Sequence, residues 1–267
     1  MRVQRILWFG LSLGMCVATG RAVGQEAARV ESCPGNRNTP VVFLADCSHV
    51  TDGTAKQLCG AFLENQACKV FPAYRTLTGI HLEEKCPTMK YTIYEKENWP
   101  YPNLKGEGGL AGKCEITLMS DYSLKVKSKI GPYDLHELLH EYQMVAGPFS
   151  TEHPFFDVTQ TEAAKQIGDA EGAEAYLRKV KNEISAGDQA LQKASGGLKE
   201  CTMAQLVVVN QLYLEDPRIV GAIYRKLGPL PERKALEALQ VRENRTIYIV
   251  SNEKAKPFLM EHGCAKF

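Results

Sequence analysis

Tyr133-Asp134-Leu135-His136-Glu137-Leu138-Leu139-His140-Glu141-Tyr142 is the stretch on which the reading of this chain turns. Gly131-Pro132 lies before it and Gly147-Pro148 after it, so a helix is expected from near Tyr133 to about Ala146. Within that helix Leu135, Leu138, Leu139 and Tyr142 fall at i, i+3, i+4 and i+7, which makes one apolar face. His136 and His140 stand one turn apart on the flank of that face. Two imidazoles so placed can hold one Zn2+, each at about 2.0–2.1 Å. A zinc ion lowers the pKa of a water to about 7. Glu137, next to the first histidine, is then the expected general base, taking a proton from the attacking water and passing it to a leaving amine.

The rest of the chain reads outward from this helix. Upstream, Cys114-Glu115-Ile116-Thr117-Leu118 alternates with the strand period of two, and Tyr91-Thr92-Ile93-Tyr94 is rich in strand formers. Between them, 100–112 reads as a Pro- and Gly-rich loop. Helices are expected over 51–65 and 71–79, the second closed by Gly79. Val41-Val42-Phe43-Leu44 suits a buried strand inside an otherwise loop-rich 25–50. Downstream, a Phe-rich loop leads into helical composition from Thr159 to roughly Ala194, interrupted at Gly168, Gly172 and Gly187. Further helices are expected over 202–215, 217–227 and 231–241, a strand over 246–250 and a short last helix over 253–261. Strands first and helices after point to an α+β fold.

The chain has 267 residues, 44% of them hydrophobic, enough for a packed core. Residues 1–24 read as a signal peptide: Arg2 and Arg5, then an apolar stretch from Ile6 to Ala18 that is short for a membrane span, then small residues. The formal charge of +1 and the lack of a basic stripe exclude nucleic acid as an expected partner. Of nine cysteines, Cys16 falls in the leader. The remaining even number, Cys33, Cys47, Cys59, Cys68, Cys86, Cys114, Cys201 and Cys264, suggests disulfides in a secreted or periplasmic protein, with Cys201 and Cys264 expected to pair.

On the H-E-x-x-H motif, its helix and the strand before it, the chain resembles the zincin class of metallopeptidases over about 50–170, most firmly over 133–143. The resemblance implies a zincin-like α+β fold. A small N-terminal mixed α/β layer with disulfides would end in the active-site helix (25–147), and a mostly helical lobe would follow (148–267), all in one catalytic domain (25–267). It implies a zinc cofactor and a peptide or protein substrate. After the leader no stretch is long and apolar enough to cross a membrane, so no membrane partner is expected once the leader is cleaved. Two positions depart from the extended pattern, which prefers uncharged residues where Asp134 and Glu141 stand. A catalytic zinc usually takes three protein ligands. His153, with aromatics after it, has a spacing similar to the third histidine of SprT-like metallopeptidases. Glu162 stands near the place of the third ligand of thermolysin-like enzymes, but Thr159-Gln160-Thr161-Glu162 also has the form of a capping box. Asp157 is a further option. Two rival readings stay open: a zincin-shaped zinc-binding protein without turnover, and a disulfide-rich binding module in which the motif is accidental. His49, His81 and His262 read as structural or exposed, and Tyr133 and Tyr142 as packing residues, with donation to an oxyanion as the alternative.

Overall fold

A computed structural model of the chain describes residues 27–34, 37–104, 108–123, 134–144, 156–192, 198–221, 224 and 256–261. The expected leader, His153, Cys264 and the elements expected over 231–250 lie outside them.

Five strands form one mixed sheet: β1 (Ala27–Cys33), β2 (Arg37–Asp46), β3 (Thr88–Tyr94), β4 (Gly109–Gly112) and β5 (Glu115–Met119). Their order is β1-β2-β3-β5-β4. β2, β3 and β5 are parallel, and the two edge strands β1 and β4 run antiparallel to their neighbours. Between β2 and β3 come α1 (Gly53–Gln57), α2 (Cys59–Asn65), a π-helical turn (Gln66–Val70) and α3 (Phe71–Thr78). After β5 follow α4 (Ser120–Ser123), α5 (His136–Met144), α6 (Phe156–Ile167), α7 (Ala170–Leu191), α8 (Leu198–Glu215) and α9 (Lys256–Glu261).

The sheet buries one face. Val41, Phe43 and Ala45 of β2, Met89, Tyr91 and Ile93 of β3, and Ile116 and Leu118 of β5 are all buried, at strict period two. Parallel strands covered on both sides read as continuous apolar runs. These alternate because the helices cover a single side. Phe43 meets Phe71 of α3 edge-on at 5.5 Å, and Tyr91 meets Phe62 of α2 at 5.6 Å. The same core runs on through α5 and α6 to Val209 and Tyr213 of α8.

Local chemistry sets the boundaries. Asp52 caps α1 by accepting from the backbone of Thr54 at 2.9 Å and Ala55 at 3.2 Å. Gly79 ends α3 in the left-handed region, at φ 68°, as its place after the helix predicts. Gly168, at φ 79°, separates α6 from α7.

Several expectations are corrected. Within 25–50, the strand expected at 41–44 lies in β2, but β1 replaces expected loop and pairs antiparallel with it: β1 is an edge strand with Arg29 and Glu31 facing solvent, so it carries little apolar signal. The 100–112 loop contains β4, whose glycines argued against a strand. Helices α1 to α3 lie between strands, so the order is not strands first. Helix α7 passes unbroken through Gly172 and Gly187. A Cβ on Gly187 would come within 2.3 Å of Val207 Cγ2, so the glycine permits close packing of α7 on α8.

Three disulfides tie the sheet half together. Cys33–Cys68 joins β1 to the π-helical turn, Cys47–Cys59 joins the end of β2 to α2, and Cys86–Cys114 joins the entry of β3 to the β4–β5 turn. Such bonds suit an oxidising, extracytoplasmic setting. Among the described residues no helix is long and apolar enough to cross a membrane. Helix α8, which carries Cys201, packs against α9, three residues before Cys264.

Cys86–Cys114 spans 28 residues. Its double replacement by serine is expected to cost about 2–4 kcal/mol, read from denaturant unfolding of the two proteins side by side.

Candidate metal centre

Helix α5 is held on three sides before its histidines do anything. Its apolar face, Leu135, Leu138, Leu139 and Tyr142, is buried as the periodicity predicts, each residue at most 1% exposed. Asp134 caps its start: Oδ1 accepts the Glu137 N–H at 2.9 Å, and the N–H groups of His136 and Leu138 also point at the carboxylate. The backbone of Asp134 is itself gripped. In the amide orientation that satisfies both ends, Gln66 donates to the Asp134 carbonyl at 3.0 Å and accepts its N–H at 2.5 Å. Tyr74 of α3 donates its hydroxyl to the Leu135 carbonyl at 2.5 Å. Near the end of α5, Tyr142 donates to the Phe71 carbonyl at 2.9 Å.

Glu141 ties the helix to the sheet. It is fully buried, and its Oε2 accepts the Cys114 N–H at 2.9 Å, with the Gly112 N–H beside it. Cys114 sits at φ 62°, a left-handed conformation rare for a residue with a side chain, inside the β4–β5 turn. The carboxylate therefore fastens a strained turn to the helix. The two departures from the zincin pattern thus have structural explanations: Asp134 is a cap and Glu141 a clamp, and neither stands in the way of the histidines. Burial pushes both carboxyls upward, Glu141 to about 7, because the charged form is poorly solvated there.

His136 and His140 are half-buried on the flank of α5. Their ring centroids are 4.9 Å apart and the planes meet at 83°. Both rings touch one side chain of α6: the Phe156 ring lies 4.5 Å from His136 and 4.4 Å from His140. Gln160, one turn further along α6, brings its carboxamide to 3.3 Å from His136 Nδ1. The two histidines therefore share one environment. Glu137, 7% exposed, points toward β4, where a Cβ on Gly109 would stand 2.6 Å from its Cγ. The close approach of helix and strand requires glycine at 109.

The candidate third donors are distributed differently. His153 lies outside the described residues. Glu162 faces α8, accepting from Lys165 Nζ and Tyr213 Oη, both at 2.7 Å. It follows Gln160 by about 200° of helical turn, so the helix aims it away from the histidines. Asp157 faces α7, near Lys179 at 3.9 Å and hydrogen-bonded with Glu183. The capping box at 159–162 is not formed: α6 begins at Phe156, and the Thr159 hydroxyl lies 3.3 Å from Tyr224 Oη instead. Among the described residues no group of three His, Cys, Asp or Glu side chains is placed to hold a metal ion. Away from this centre, His49 stacks on Tyr94 at 4.2 Å and His81 sits 3.0 Å from Glu83. His262 and Tyr133 lie outside the described residues.

Sequence reading missed Phe156, Gln160 and Gly109. The first two were signalled by spacing: they repeat at i, i+4, as the histidines do, and a glutamine in an apolar helical stripe is out of character.

Gly109→Ala is expected to destabilise the fold by about 1–3 kcal/mol, because the added methyl overlaps Glu137 and Leu118 at 2.6–2.8 Å; the midpoint of thermal unfolding reads this. The Glu141 carboxyl gives a pH effect of defined sign. Its folded-state pKa, about 7, lies above its ordinary value of 4.5, so between those values the folded chain keeps a proton that the unfolded chain has released. The contribution of this group to stability therefore falls as pH rises through that window and is level above it. Glu141→Gln should flatten that part of a stability–pH curve.

In the comparisons with known proteins, no family model, curated protein or solved structure matches the chain.

Proposed function

We propose that this protein is a zinc-dependent peptidase acting outside the cytoplasm. The observation that carries the reading is the His136–His140 pair: two imidazoles at 4.9 Å on the half-buried flank of a helix whose other side is locked, with Glu137 between them in sequence and turned toward a sheet edge. Two neutral imidazole nitrogens are donors that zinc prefers, and the ring spacing fits a shared ion. When bound there, zinc would supply Lewis acidity that eases deprotonation of a water to about pH 7.

The chain's own residues would do the rest. Glu137 would take the proton of the attacking water and deliver it to the leaving nitrogen. Phe156, pressed against both rings, keeps bulk water from one side of the pair and lowers the local dielectric. β4 is an edge strand of the sheet, and its Gly109 leaves the room that the Glu137 side chain occupies. An extended peptide adding itself alongside β4 would carry its backbone past that carboxylate. In this reading His153 is the third ligand. It precedes Phe156 by three residues, so chain length alone keeps the two Cα atoms within about 11 Å. Glu162 and Asp157, turned to α8 and α7, are the weaker choices.

One observation favours a second reading. The Phe156 ring packs on both imidazoles so closely that the three rings also form a plain aromatic cluster, as in a disulfide-rich binding module without metal.

Metal analysis and peptide hydrolysis separate the two. The expected result is one zinc per chain in the wild type, its loss in His136→Ala, and zinc retained in Glu137→Gln with hydrolysis reduced by about 10²–10⁴-fold. A purified, folded wild type without zinc, and with no affinity for added zinc, would end the peptidase reading in favour of the module.

A further inference from the structure

We propose that Gln160 is a positioning residue for the metal centre: its carboxamide oxygen accepts the Nδ1–H of His136 and so leaves the Nε2 lone pair of that ring for the cation. The inference rests on the zinc reading above and adds to it a residue on another helix.

The side chain of Gln160 is fully buried, at 0% exposure, in the α6 stripe that also holds Phe156. Its two terminal atoms are nearly the same size, so one set of positions serves either amide orientation. As placed, the amide nitrogen lies 3.3 Å from His136 Nδ1, and the amide oxygen is buried and makes no hydrogen bond among the described residues; exchanging the two, which the shape of the group permits, puts the oxygen on Nδ1 as the acceptor. A primary amide is costly to bury with so few partners, and alanine or leucine would fill an apolar stripe at less cost. The bond to His136 is what the structure shows this amide doing.

The direction of that bond decides what His136 can do. If the amide nitrogen donates to Nδ1, the neutral ring must carry its proton on Nε2, and Nε2 then has no lone pair for a metal. If the amide oxygen accepts from Nδ1–H, Nε2 is unprotonated and available. A ring that binds zinc through Nε2 selects the second arrangement, and partners of this kind fix the tautomer and orientation of metal-binding histidines. Phe156 fixes the same ring by contact at 4.5 Å, so His136 is oriented by packing and by a hydrogen bond from one helix.

The test uses the full chain, zinc as the only ligand, and two variants. Gln160→Met keeps length and removes the acceptor; Gln160→Glu keeps the acceptor and strengthens it. Long-range ¹⁵N–¹H spectra of the metal-free wild type should show His136 protonated on Nδ1. Zinc affinity, read by chelator competition, should fall about 10–100-fold in Gln160→Met and return to the wild-type value or better in Gln160→Glu. A wild type that binds no zinc would overturn the metal reading and this inference with it. A wild type that binds zinc but carries the His136 proton on Nε2 when metal-free would overturn this inference alone. So would a folded Gln160→Met variant with unchanged zinc affinity. The spectrum of the wild type decides the matter even if Gln160→Met does not fold.

Discussion

The site depends on a carboxylate buried at each end of one nine-residue helix. Asp134 takes the orphan N–H groups that any helix exposes at its first turn, and Glu141 takes N–H groups from a turn of the sheet. Neither job could be left to water, because both places are closed to solvent. The cost is that two acidic groups sit where charge is poorly solvated, and their proton affinities rise in consequence. In return α5 is fixed relative to α3, to the π-helical turn and to the β4–β5 turn at once. A pair of ring nitrogens can hold a shared ion only if the helix beneath them does not slide or rotate.

What the sequence made legible follows from how local each signal is. The four buried residues of α5 and the flanking place of its histidines could be read because helical periodicity is contained within the segment itself. Asp134 and Glu141 were legible as charged but not as caps and clamps, because the partner of Glu141 is a backbone N–H 27 residues away. Strand β4 was hidden because Gly109 is there for what it allows Glu137 to do, not for strand propensity. The capping box at 159–162 was misread for a related reason: Phe156, taken as loop, opens α6, which moved the expected cap into the body of the helix.

The electrostatic surroundings of the two histidines are uneven. On the sheet side lie carboxyls, with the hydroxyl of Tyr91 buried near Asp134, Glu141 and Glu137 and its pKa raised by burial and by their charge. On the α6 side lie a phenyl ring and a neutral amide. A cation entering between these sides meets attraction from one and exclusion of water from the other, which together strengthen binding more than either would in open solvent. The same asymmetry is unfavourable to an anion.

Among the described residues the covalent ties end at Cys114, whereas Phe156 and Gln160 belong to a helix held by packing and hydrogen bonds. Among the described residues the sheet half is therefore cross-linked, and the α6 wall of the histidine site is not. Heat or denaturant would lift the unstapled wall first, while the histidine-bearing helix stayed seated on its cross-linked sheet.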